Sequence, residues 1–202
     1  MNIIERITKS DKDIFDSTSS LQKISLDKLR ENPIPNSKNE IWRQTNKSKF
    51  SRFLDFKFSN DFYYPQIPGH SNIQDTYRII IGENKKIYLK EKKWEIKELE
   101  EKEILNFLKQ KIIQSDTTQN WSNLLNHFLT DRNNILGLNI SGKEIPYLEI
   151  ICNSINDFFS SKTLIINIEE DTSVSISQIN IGDINSALSI SSYLNIGEDS
   201  VV

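Results

Sequence analysis

The residues best able to do chemistry are few and scattered: His70, His127, Cys152 and two acidic runs, "ELEEKE" at 98–103 and "NIEEDTS" at 167–173. A metal site needs several ligands brought to one place, and neither histidine has a His, Cys or carboxylate at ligand spacing on its own element. Both therefore read as surface or capping residues. Cys152, in "LEIICNS", follows a strand-like run with no adjacent base and no clustered positive charge, so it reads as a buried, inert thiol rather than a nucleophile or cluster ligand. The acidic runs fall at a helix start and in a turn, where solvated carboxylates are ordinary, and do not make a calcium site. The basic run "KEKKWEIK" at 90–97 interleaves charge with Trp94 as some single-strand binders do, but its glutamates nearly cancel the field. The chain has no glycine-rich phosphate loop, HExxH, CxxC or nucleophile elbow, and these absences argue against an enzyme.

Composition narrows the partners. With 25 basic against 28 acidic residues the net charge is -3, which leaves no positive excess for phosphates and argues against nucleic acid. One cysteine cannot form an internal disulfide, so a cytoplasmic compartment is expected. No apolar run is long enough for a signal peptide or a membrane span. A 37% hydrophobic content is enough to bury a core in one large domain or two small ones.

The elements that must position these residues change character near residue 131. "LQKISLDKLRENP" places Leu21, Ile24 and Leu29 at helical spacing, with Pro33 and Pro35 ending the helix. Residues 56–76 read as a loop that packs by its aromatic rings. "YRIII" and "KIYLKEKKWEI" flank a glycine-containing break and predict a hairpin. Two helices follow, one with Ile104, Leu105, Leu108 and Ile112 on one face, the other with Trp121, Leu124, Leu125 and Phe128, for which Asn120 is an N-cap candidate. Beyond Asp131 come short β-rich runs, "ILGLNI", "IPYLEII", "TLIINI", "SVSISQINI" and "ALSISSYLNI". In "SVSISQINI" the apolar parity shifts from Val174 and Ile176 to Ile179 and Ile181, the mark of a bulge or corner. Repeated short strands with polar turns predict a β-solenoid, with a β-sandwich as the alternative.

One stretch remains, "PNSKNEIWRQTNKSKF" at 35–50. Glu40 and Arg43 can pair across one turn, Trp42 can anchor the segment to a core, and Thr45 can cap a short helix that buries Phe50 and Phe53. These roles are structural. The set Pro35, Glu40, Trp42, Arg43 and Thr45, followed by an apolar residue, resembles the N-terminal motif of SufD-type members of the SufB/SufD family of the SUF iron–sulfur cluster assembly system. "WSNLLNHFLTDRNNILGLNISGKEIPYLEII" looks like the family's entry into its β-helix, and "KTLIINIEEDTSVSISQI" like its first coils. Together these cover nearly the whole chain.

The resemblance implies an α+β protein. A helical N-terminal region with a small β-hairpin, residues 1–130, would precede the opening coils of a right-handed parallel β-helix, residues 131–202. It implies a non-catalytic scaffold subunit acting with SufB and the ATPase SufC. No cofactor is expected in this chain, the iron–sulfur cluster being implied only for the full complex. Family members are about twice this length and carry their contact and cluster chemistry toward the C-terminus, so the chain reads as an N-terminal part, and neither His127 nor Cys152 matches a family functional residue. A divergent SufB, a stand-alone β-solenoid interaction module and a polysaccharide-acting β-helix enzyme are the alternatives. The last would need carboxylates clustered along a solenoid face, where this chain has Ser, Asn and Ile.

Overall fold

A computed structural model describes residues 20–31, 57–58, 76–82, 85–88, 95–114, 121–130, 132–143, 145–154 and 158–202. The chain divides into two units, Met1–Lys57 with Lys102–Leu129, and Phe58–Glu101 with Thr130–Val202.

Among the described residues the first unit has three helices: α1 (Ser20–Glu31), α2 (Glu101–Gln114) and α3 (Trp121–Leu129). All three follow the helical period read from the sequence. Leu21 and Leu29 of α1, Leu108 and Ile112 of α2, and Trp121, Leu124 and Phe128 of α3 are buried, each set on one stripe. Two polar contacts tie the helices together. Lys28 Nζ of α1 donates to the carbonyls of Ile112 and Ile113, which lie in the last turn of α2. Gln22 Nε2 donates to Phe128 O in α3 at 3.3 Å. Asn120 lies outside the described residues.

The second unit is built from strands: β2 (Thr76–Gly82), β3 (Lys85–Tyr88), β4 (Ile96–Glu98), β5 (Ile135–Ile140), β6 (Tyr147–Ser154), β7 (Phe158–Ile168), β8 (Ile176–Gly182) and β9 (Ala187–Ile196), with a two-residue β1 (Lys57–Phe58) before them. They form two sheets. One has the order β1-β7-β5-β4, with β9 also on β7, and the other the order β3-β2-β6-β8. The expected hairpin is β2–β3, antiparallel with Gly82 opposite Lys85. The remaining long ladders, β5–β7, β7–β9, β2–β6 and β6–β8, are parallel.

The α+β composition is as expected, but the opening coils of a right-handed parallel β-helix are not what forms. The strands sort into two mixed sheets, in which antiparallel β3 and β4 join the parallel ladders. Alternation of apolar and polar residues tells a strand which face to bury, but not which neighbour to take or in what direction. Strands β2, β3 and β4, which precede residue 131, take places in the same two sheets as the later runs.

Between the sheets lies one apolar core. It contains Tyr77, Ile79 and Ile81 of β2, Leu136, Leu138 and Ile140 of β5, Leu148, Ile150 and Cys152 of β6, and Leu164, Ile166 and Ile168 of β7. Within each strand these residues are two apart, as a strand with one face inward requires. The parity shift in "SVSISQINI" makes no bulge within β8, because the register runs unbroken from Leu148↔Ile176 to Ser154↔Gly182. Val174 lies before the strand. Gln178 and Asn180 share the register face of Ile150 and Cys152 but are exposed, while Ile179 and Ile181, on the other face, are partly buried.

Ile150 is fully buried at the centre of this core. Its replacement by alanine is expected to cost about 2–5 kcal/mol, read as a lower urea midpoint with an unchanged slope.

Candidate functional site

The motif residues Pro35, Glu40, Trp42, Arg43 and Thr45 lie outside the described residues, as do His70 and Trp94. Two of the chemistry-bearing residues are described, one in each unit. His127 is buried in α3 and not on the surface as its neighbours in sequence suggested. Burial lowers its pKa from 6.5 to about 4, so the ring is neutral in the folded chain near pH 7. Among the described residues, no group of three His, Cys, Asp or Glu side chains is placed to hold a metal ion.

Cys152 sits on the inner face of β6, opposite Ile81 of β2 and Asn180 of β8. Desolvation pushes its thiol up to about 12, and the charge of Lys162 only partly opposes this. No local pattern in the sequence marks Lys162. It shares the inward parity of Leu164 and Ile166 on β7 and is fully buried, with Nζ donating to Asn134 Oδ1 at 2.8 Å and to Gly82 O at 3.1 Å. Asn134 precedes β5 and Gly82 ends β2, so this amine braces the two sheets at one end of their core. A cation held by neutral acceptors beside a protonated thiol makes no nucleophile–base pair.

Other buried polar groups are closed in the same way. Arg78 Nε donates to Glu149 Oε2 at 2.6 Å, and Nη2 of the same guanidinium lies within ion-pair range without hydrogen-bond alignment. Thr130 and Ser161 share a hydroxyl–hydroxyl bond of 2.8 Å, and Ser154 Oγ donates to Ala187 O. Each of these joins segments distant in sequence. They are structural ties.

The feature that sequence reading missed is a repeat. Asn139, Asn167 and Asn195 stand 28 residues apart and in register on β5, β7 and β9, each between two aliphatic residues, and Asn195 Nδ2 donates to Asn167 Oδ1 at 2.6 Å. Asn139 Nδ2 donates to the Glu169 carboxylate. The same interval relates β6 to β8. The triplets Leu-Asn-Ile at 138–140 and 194–196 and Ile-Asn-Ile at 166–168 were the available signal.

The repeat also shows where the core is cut open. Ile166 and Ile168 are 7% and 3% exposed, whereas Leu194 and Ile196, their register partners on β9, are 50% and 53% exposed. Among the described residues β9 pairs only with β7 and β8 only with β6, whereas β4 closes β5 and β3 closes β2 at the far edges. Neither β8 nor β9 contains a charged residue or a proline, the usual guards of an edge. Beyond the strand ends stack two acidic turns, Glu169-Glu170-Asp171 and Gly197-Glu198-Asp199. Gly197 N donates to Ile168 O and Asp171 N to Glu198 O. Asp171 and Asp199 share the same left-handed backbone, at φ 57 and 56. Gly197 has to be glycine: a Cβ there would come within 2.6 Å of Glu170 N.

Two measurements test the closed part of this account. Cys152 is expected to resist alkylation in native buffer at pH 8 and to react fully in urea; rapid labelling of the native chain would contradict its burial. For His127 the folded pKa lies below the unfolded value, so its contribution is complete above pH 6.5 and is lost as pH falls toward 4. The loss is up to roughly 3 kcal/mol. Urea melts across that range should show this decline, and His127→Leu should flatten it. Compared with known proteins, the chain matches no family model, no curated protein and no solved structure.

Proposed function

We propose that the chain is a non-catalytic scaffold subunit of iron–sulfur cluster assembly, SufD-like, that acts in a complex with SufB and SufC. The observation that carries the scaffold reading is that β8 and β9, which among the described residues pair on one side only, carry no charge and no proline along their length. Such edges suit a protein whose work is to hold others. The polar side chains that a catalytic reading would use, Cys152 and Lys162, are enclosed instead. The choice of assembly system comes from the resemblance of Pro35, Glu40, Trp42, Arg43 and Thr45 to the SufD motif. In this reading the cluster is cargo of the complex and nucleotide chemistry belongs to SufC.

The same open edges favour a second reading, a stand-alone interaction module that recognises its partners by strand addition. A pull-down with purified SufB and SufC separates the two. Because the resemblance puts the contacts toward the C-terminus of a longer protein, the product of the whole gene is expected to retain both, whether or not this chain alone does. If neither that product nor this chain retains them, the SUF assignment falls and the interaction module takes its place.

A further inference from the structure

No further inference is drawn: the strongest candidate, the surface patch on the strand-built unit where the acidic turns Glu169-Glu170-Asp171 and Glu198-Asp199 stack, is a cluster of carboxylates, and among the described residues no second feature there points to a ligand.

Discussion

In-register parallel pairing around one apolar core is the constraint on which the strand-built unit depends. Leu138, Ile166 and Leu194 are neighbours, as are Ile140, Ile168 and Ile196, because β5, β7 and β9 align at a fixed 28-residue interval. Moving any of these strands by one residue would turn its aliphatic set away from the core and its asparagine into it. The close passage of Gly197 beneath the Glu169–Glu170 turn and the stacking of the two acidic turns follow from the same alignment. So does the half-exposed state of Leu194 and Ile196, which keep inward positions and, among the described residues, have no further strand over them.

What the sequence made legible was local. The helices and the β2–β3 hairpin are specified by residues within a few positions of each other, through a 3.6-residue stripe or a glycine between two β-favouring runs. Pairing between distant strands carries no such signature. Apolar alternation in "TLIINI" and "ALSISSYLNI" reveals a buried face, yet nothing in either run states that they lie side by side in parallel, or that β3 and β4 complete the sheets in the opposite direction. The 28-residue interval was hidden because only the asparagine and its aliphatic flanks recur while the rest of each run differs. In β8 the aliphatic residues change face although the register does not, so a reading by parity alone finds a bulge where Gln178 and Asn180 simply share the register face of Ile150 and Cys152.

The candidate chemistry was misjudged for a related reason. A lysine in "FFSSKTLIINI" reads as an ordinary solvated side chain, and Gly82 and Asn134, far away in sequence, help to make its burial tolerable. His127 likewise belongs to a polar-looking helix whose packing draws the ring inside. Cys152 behaved as its surroundings suggested, because the three apolar neighbours in "LEIIC" and the lack of a base are themselves local facts.

The ion pair between Arg78 and Glu149 has a consequence for how the chain finds its fold. The strands it joins, β2 and β6, are rich in isoleucine on both faces, and a slip of two residues would keep every aliphatic group on its proper side. Hydrophobic burial would scarcely notice the error. In such a slipped state Arg78 would lie beside Ile151 or Tyr147 and lose its carboxylate, and a buried charge stripped of its partner costs about 3–5 kcal/mol. The pair adds little attraction beyond what two apolar residues would supply, but it makes one alignment of two nearly self-similar strands the only tolerable one. Arg78 and Glu149 thus work as a proofreading contact, one that rejects a mispairing the core by itself would accept.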